Sequence, residues 1–195
     1  MQAQATMCTS DPTHRLICLT APSEPDNTQV FIISTRIFFD LNKMAAAMPI
    51  PWQHWGPSNT RILRHPFYFK IHVNGNRVLR TLPVGTRNSQ FILQLFDFSP
   101  LAVTNRRGLG RVVKEPSTTY ISADEFGTRG ESLTTSLPYV QVVFSNRKFD
   151  CSLLRDVWID KDRIYMLSRS LSFTDRLGVI DVQSDLQSGV VSTSL

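Results

Sequence analysis

Residues 67–82 read FYFKIHVNGNRVLRTL, and this stretch decides the fold class. From 67 to 73 apolar residues occupy every odd position, a period of two that predicts a strand with the odd-numbered residues facing the core. Asn74-Gly75 follows, and this dipeptide is a strong hairpin signal because a type I′ turn needs a positive φ at both central residues. The sequence therefore predicts a β-hairpin whose second strand runs over residues 77–82.

Short apolar runs of similar character recur along the whole chain. They cover residues 16–19, 29–41, 91–98, 138–145, 153–159, 163–168 and 177–182. Runs rich in β-branched and aromatic residues are typical of strands. The run at 29–41 is interrupted at Ser34-Thr35-Arg36, which leaves one long bent strand and two short strands as alternatives. About nine or ten short strands follow from this count.

Helical patterns are not convincing anywhere in the chain. Residues 48–60 (MPIPWQHWGPSNT) contain three Pro and one Gly, which predicts an ordered loop anchored by its two Trp. Residues 104–136 show little periodicity and are interpreted as a long insertion with one short strand. Parallel α/β folds are excluded because they need crossover helices.

The composition agrees with an all-β domain. The chain has 195 residues, of which 42% are hydrophobic and 19% charged, enough apolar material for one sizeable core. We expect an all-β, antiparallel, propeller-like array of about four to five blades, open or partial, because each blade takes about 40–45 residues. A β-sandwich is the alternative. The expected divisions are a disordered lead-in at 1–12, a single domain at 13–183 and a flexible tail at 184–195.

The charge and the cysteine content restrict which partners the protein can bind and which cellular compartment it occupies. The net charge is +5, but the basic residues are scattered, with Arg106-Arg107 and Arg147-Lys148 as the pairs, so we expect no nucleic-acid partner. No apolar stretch of about 18 residues is present, which predicts no membrane span. Three cysteines without C-x-x-C spacing indicate reduced thiols in the cytoplasm or nucleus.

The segment at 50–61, IPWQHWGPSNTR, resembles a PW-x-x-WGP-x-NTR motif in the C-terminal region of mushroom-type fungal F-box proteins. Five further blocks are similar to that family in the same order. They are VNGNRV (73–78), LFDFSPLAV (95–103), VVKEP (112–116), SLPYVQVVFSNRKF (136–149) and IDKDRIYML (159–167). The chain departs from the pattern at Asn76, where the family has Gln, and at Val140-Gln141, where it has Arg-Glu.

The resemblance implies a non-catalytic protein-binding module, the substrate-binding half of a ubiquitin-ligase substrate receptor with a propeller-like fold. In the family, an N-terminal F-box of three helices docks the Skp adaptor of a cullin ligase. Nothing in this chain matches an F-box, so Skp and cullin would be partners only through a module absent here. The alternative is a stand-alone β scaffold, or a truncated gene product, without ubiquitin-ligase function.

Several residues of these blocks are candidates for a structural role. They are Trp52, Trp55, Gly56, Pro57, Asn59, Arg61, Asn74, Gly75, Pro138, Tyr139, Asp160 and Arg163. The two Trp could form an aromatic clamp for a peptide. We favour an anchored loop in which Asn59 and Arg61 hydrogen-bond to carbonyl oxygens. Asp160, Asp162 and Arg163 are interpreted as a turn in which Asp pairs with Arg.

Candidate binding residues lie in the loop-rich stretch before residue 130. Arg106, Arg107, Arg111 and Arg129 could bind an acidic or phosphorylated client protein through guanidinium forks. Metal ligands at zinc spacing, a glycine-rich phosphate cradle and a nucleophile–base motif are not found in the sequence. The sequence therefore predicts no enzyme, no metal and no cofactor.

Overall fold

The computed structural model describes residues 2–4, 15–22, 27–41, 50–66, 70–85, 89–104, 110–121, 130–169 and 174–182. These residues are mostly antiparallel β, with 67% in strands and 14% in helices. Fourteen strands in the described part form four sheets, none of them closed. The predicted all-β, antiparallel class is confirmed.

The N-terminal sheet has four strands in sequential order. They are β1 (Gln2–Gln4), β2 (Leu16–Pro22), β3 (Asn27–Ser34) and β4 (Thr60–Pro66). All neighbours pair antiparallel. Gln2–Gln4, which pairs with β2, lies within the stretch 1–12 that the sequence predicts as a lead-in. The other residues of the lead-in, and the predicted tail at 184–195, lie outside the described part.

The central sheet has five strands in the order β5-β6-β7-β11-β8. They are β5 (Ile71–Asn74), β6 (Arg77–Val84), β7 (Gln90–Asp97), β8 (Arg111–Val113) and β11 (Tyr139–Asp150). The short β8 pairs with the first residues of β11 and so forms one edge of this sheet.

Two smaller sheets complete the architecture. The small sheet consists of β9 (Ser117–Ile121) and β10 (Glu131–Thr135), and the C-terminal sheet of β12 (Leu154–Asp160), β13 (Arg163–Arg169) and β14 (Asp175–Asp181). Strands β8, β9 and β10 fall inside the segment 104–136. The expectation of one short strand there is wrong, because Ser and Thr fill β9 and β10 and give no apolar period.

The core is divided into three apolar clusters that join the sheets in series. One cluster, including Phe31, Ile62 and Ile121, joins the N-terminal and small sheets. A second joins the N-terminal and central sheets, and a third joins the central and C-terminal sheets. On β6, the neighbours Val78 and Leu79 belong to different clusters. The central sheet is therefore buried on both faces, which explains its continuous apolar runs.

Three short helices correct the expectation that the chain has none. They are α1 (Arg36–Leu41), α2 (Trp52–Asn59) and α3 (Pro100–Thr104). The predicted break at residues 34–36 is present, but the run after it is a helix rather than a strand. Helix α2 replaces the predicted loop, although Pro57 lies inside it and removes one backbone donor from a helix of only two turns.

The β5–β6 hairpin is present as predicted, but its turn differs. Asn74 pairs with Arg77, so Gly75 and Asn76 are the central residues. Only Gly75 has a positive φ, of 57°, and this is the type II′ pattern rather than type I′.

Candidate functional site

A cleft of about 470 Å³ lies where the N-terminal, central and small sheets meet. We call it the arginine cleft, after four of the side chains that line it. These four are Arg61, Arg64, Arg80 and Arg111. Tyr139 and Glu115 also line it. Within the described residues, none of the four arginines forms a salt bridge.

Arg61 lies at the centre of this junction and is only 2% exposed. Its Nε donates to the carbonyl oxygen of Leu137 at 3.0 Å. Its Nη1 donates to the carbonyl of Glu115 at 3.0 Å, to Ser117 Oγ at 3.1 Å and to the carbonyl of Thr135 at 3.4 Å. Its Nη2 is buried without a hydrogen-bond partner in the described part of the chain. One guanidinium thus connects β4 to three other segments and retains an unused donor.

Two aromatic rings separate Arg61 from Arg80. The Arg61 guanidinium lies 5.1 Å from the centroid of the Tyr139 ring, and the Arg80 guanidinium lies 4.9 Å from that of Phe96. The two rings meet edge to face at 5.2 Å. Such cation–π contacts hold each guanidinium plane in a fixed orientation.

Arg80 is fixed further by neutral acceptors. Its Nε donates to Gln94 Oε1 at 2.7 Å, and its Nη1 donates to the main-chain oxygen of Arg64 at 2.8 Å. Burial lowers the pKa of Arg80 to about 10, partly offset by Tyr139. Burial likewise lowers the pKa of Arg61. Arg80 is therefore charged at neutral pH and is held in place without a carboxylate.

Arg111 and Glu115 form the outer edge of the cleft, and both are exposed. Gly110 precedes Arg111 with a φ of 91°, and a Cβ there would lie 2.5 Å from the carbonyl oxygen of Gln141. Only glycine lets the chain approach β11 this closely, which places Arg111 at the cleft. Main-chain N–H groups of Glu115 itself and Lys114, and then Arg111 and Arg61, lower the pKa of Glu115.

A second cleft, of about 610 Å³, lies between the β5–β6 and β12–β13 turns. We call it the Arg77 cleft. Arg77 donates from Nε to Asp97 Oδ2 at 2.9 Å and from Nη1 to Asp162 Oδ1 at 2.8 Å. Burial alone would lower the pKa of Arg77, but Asp162 and Asp97 outweigh it and raise that pKa.

Two side chains of β5 join the central and C-terminal sheets beside the Arg77 cleft. Asn74 Nδ2 donates to the carbonyl oxygen of Ile159 at 2.8 Å, and His72 Nδ1 accepts from the Ile159 N–H at 3.3 Å. At this point the two sheets are linked by hydrogen bonds from side chains to the main chain, rather than by paired strands. Asn74 thus has a packing role in addition to its place before the hairpin turn.

Helix α2 contains the PW-x-x-WGP-x-NTR motif from Trp52 to Asn59, and the last two motif residues, Thr60 and Arg61, begin β4. Trp52 and Trp55 meet edge to face at 4.9 Å, and Gly56 leaves room for the Trp52 ring, which a Cβ would meet at 2.2 Å. Asn59 Nδ2 donates to the carbonyl of Trp55 at 2.9 Å, and the carbonyl of Pro57 accepts from Ser136. The helix is therefore anchored to the segment that leads into β11.

The site residues predicted from the sequence lie in different parts of the structure. Arg111 lines the arginine cleft, whereas Arg106, Arg107 and Arg129 lie outside the described residues. Pro138 is half-buried beside the buried Tyr139, and Asp160 and Arg163 are exposed. In the turn that was predicted to pair Asp with Arg, Asp162 forms a salt bridge with Arg77, which belongs to the central sheet.

Sequence reasoning missed Arg64, Arg80, Glu115 and Arg77 as site residues. Arg80 carries the clearest missed signal, since it interrupts the apolar run of β6, a strand buried on both faces. An arginine in such a position must find acceptors or a charge partner.

Comparison with protein-family models, with curated proteins and with solved structures found no match for this chain. The resemblance to fungal F-box proteins therefore stays a prediction. Within the described residues, no group of three or more His, Cys, Asp or Glu side chains is arranged to hold a metal ion. No helix in the same part of the chain has the length and apolar character needed to cross a membrane.

Proposed function

We propose that this chain is a non-catalytic protein-binding module whose arginine cleft holds an acidic segment of a client protein. One observation carries the proposal: four arginines line a single cleft, and none has a carboxylate partner within the described residues. Arg64 and Arg111 are exposed and Arg80 is held by neutral acceptors, so these three guanidinium groups are free to form charge-assisted hydrogen bonds with a bound anion. The lone Glu115 does not neutralise them.

The architecture proposed for this module is an open, propeller-like array of about four to five blades. Its support is the packing of the four sheets in series, face against face, through three separate clusters. Propeller blades pack in this way, and loops on such a rigid scaffold often carry binding residues.

A role in a ubiquitin ligase is proposed on the sequence resemblance, which supplies its only support. It would place the client-binding cleft in the cytoplasm or nucleus, and the free thiols of Cys18 and Cys151 agree with a reducing compartment. The expected partner is a Skp-type adaptor, bound through an F-box. Co-purification of that adaptor with a form carrying an F-box tests this part separately from the cleft.

A peptide-binding measurement tests the cleft. Two pools of labelled 12-residue peptides, one rich in Asp and Glu and one rich in Lys and Arg, are titrated with the full chain by fluorescence anisotropy. We expect the acidic pool alone to bind, and binding to weaken at 0.5 M salt because screening reduces the attraction between exposed charges. Arg111→Gln is expected to weaken binding and Arg155→Gln, an exposed arginine of β12, to leave it unchanged. Equal binding of both pools, or of neither, would refute the proposal.

A further inference from the structure

We propose that strand β14 binds an extended segment of a partner protein by strand addition, and that this segment has basic residues at both ends and apolar residues between them. We call the side of β14 that faces away from β13 the β14 edge. The inference goes beyond the proposed function, because it concerns another site and a ligand of opposite charge. It is drawn from the hydrogen-bonding pattern, the exposed side chains and the charges of β14.

The β14 edge presents main-chain groups to which no strand of the described part is paired. The C-terminal sheet has the order β12-β13-β14, so β14 is its last strand. The N–H of Val182 donates to the carbonyl oxygen of Asp162 at 2.8 Å, which fixes the alternation of the ladder. Since every second residue of an antiparallel strand bonds to the same neighbour, the N–H and C=O groups of Leu177 and Val179 point away from β13. Such an edge is a template for a further strand.

The side chains of the same two residues form an exposed apolar surface. Leu177 is 58% exposed and Val179 is 52% exposed. Both lie on the outer face of the sheet, beside Leu167 and Tyr165 of β13, while the inner face packs against the central sheet. Tyr165 in turn stacks on Trp158 at 5.5 Å. A strand added at the β14 edge removes part of this apolar surface from water, which favours binding.

Aspartates lie at both ends of the apolar pair, on the same face of β14. Asp175 precedes the pair and Asp181 follows it, and on β13 they lie opposite Arg169 and Arg163. The Nε of Arg169 donates to Asp175 Oδ1 at 3.3 Å. An ionised carboxylate has two oxygens and accepts several hydrogen bonds, so a base on the other side of β14 can pair with the same group.

Strand β13 shows which sequence complements β14. Residues 163–169 read RIYMLSR, and the side chains on the outer face are Arg, Tyr, Leu and Arg in that order. They lie opposite Asp181, Val179, Leu177 and Asp175. A strand on the other side of β14 meets the same four side chains, because cross-strand neighbours on one face contact each other. The matching pattern is therefore basic-x-apolar-x-apolar-x-basic, antiparallel to β14.

Two occupants from the chain itself fit less well. If two copies pair through β14 with Leu177 against Val179, then Asp175 of each copy lies opposite Asp181 of the other. Like charges directly opposite each other are destabilising. Residues 183–195, which follow β14, contain no Lys or Arg. Charge complementarity therefore favours a separate, basic segment.

The deciding experiment titrates three labelled peptides with the full chain and follows fluorescence anisotropy. The first peptide is RIYMLSR. The second, DIYMLSD, reverses the charge at both ends. The third, IYRMRSL, has the composition of the first but places both Arg against the apolar pair. We expect RIYMLSR to bind at least about 10-fold more tightly than either control, because each control replaces two favourable cross-strand pairs by two unfavourable ones.

A variant of the β14 edge has a matched control in the central sheet. Leu177→Thr combined with Val179→Thr introduces residues that suit a strand and removes apolar surface. Both side chains are more than half exposed, so the variant should fold, and we expect it to bind RIYMLSR about 10-fold more weakly. Val143→Thr, at an apolar residue of β11 that is 41% exposed, should leave binding unchanged. Asp175→Asn should reduce the preference for RIYMLSR over DIYMLSD.

Amide hydrogen exchange distinguishes strand addition from binding to the outer face. RIYMLSR should slow the exchange of the Leu177 and Val179 N–H groups, because they would donate to the peptide. Binding without this protection would mean that the peptide lies on the face of the sheet, and would overturn strand addition.

The remaining outcomes identify the other occupants. Equal affinity for the three peptides, or no binding of RIYMLSR, overturns the inference. So does slow exchange of the two N–H groups without peptide. If it is seen at every protein concentration, the chain covers its own edge, and if it is seen only at high concentration, a second copy does. Arg111→Gln should leave RIYMLSR binding unchanged, so the inference and the proposed function can be refuted separately.

Discussion

The arginine cleft and the Arg77 cleft use the same side chain in opposite ways. Arg77 is held between the carboxylates of Asp97 and Asp162, so its charge is satisfied within the fold and joins two sheets. Arg80 is held by an amide, a carbonyl and an aromatic ring, and none of these cancels its charge. The comparison suggests a rule: an arginine paired with carboxylates of the fold stabilises the fold. An arginine held only by neutral groups keeps a charge that a ligand can bind, whatever its burial.

Substitution of Arg61 is expected to have the largest effect on stability, because this residue both supports the fold and lines the arginine cleft. Arg61→Met should destabilise the protein by about 3 kcal/mol or more, since several buried acceptors lose their donor at once. The free energy of unfolding in urea gives the measurement.

The matched control for Arg61 is Arg64→Gln on the same strand. The Arg64 side chain is exposed, and its main-chain oxygen, which accepts from Arg80, is unchanged by the substitution. We expect a change within about 0.5 kcal/mol. A loss below 1 kcal/mol for Arg61→Met would show that its hydrogen bonds do not hold β4 to the small sheet and to the segment before β11.

A direct comparison of Arg77→Gln with Arg80→Gln is the next test. Arg77→Gln should cost about 1–2 kcal/mol of stability, a modest figure because the Arg77 and Asp162 side chains are 29% and 45% exposed. Its binding of acidic peptides should be unchanged. Arg80→Gln should show the reverse: a stability change within about 1 kcal/mol and binding weakened about 10-fold. Loss of binding in Arg77→Gln would end the division of roles between the clefts.

Sequence reasoning reached the all-β class and the positions of most strands, because alternating or β-branched runs carry that signal locally. It missed helix α2, where Pro and Gly were interpreted as loop residues and Gly56 instead accommodates the Trp52 ring. It placed Asn59 and Arg61 at carbonyl oxygens, and both donate to such oxygens. It could not assemble the arginine cleft, since its residues come from β4, β6 and β8, and their convergence depends on how the sheets pack.

The smallest expected effect concerns His72 beside the Arg77 cleft. Its Nδ1 accepts from the Ile159 N–H, so the neutral ring is the form that joins the central and C-terminal sheets. Burial lowers the pKa of His72 in the folded chain, partly offset by Asp156. Because the folded pKa lies below the unfolded value, protonation favours unfolding. The contribution to stability is complete above about pH 6.5 and is lost as the pH falls toward the folded pKa.

We expect this loss to be less than about 1 kcal/mol, since one long hydrogen bond is involved. The measurement is the difference in unfolding free energy between the native chain and His72→Asn, whose side-chain oxygen keeps an acceptor near the position of Nδ1. That difference should change between pH 7.5 and pH 5.5, while binding of the acidic peptide pool in the arginine cleft does not. If His72 titrates at or above 6.5 by NMR, its ring is not held neutral by the fold, and the junction of the two sheets does not depend on it.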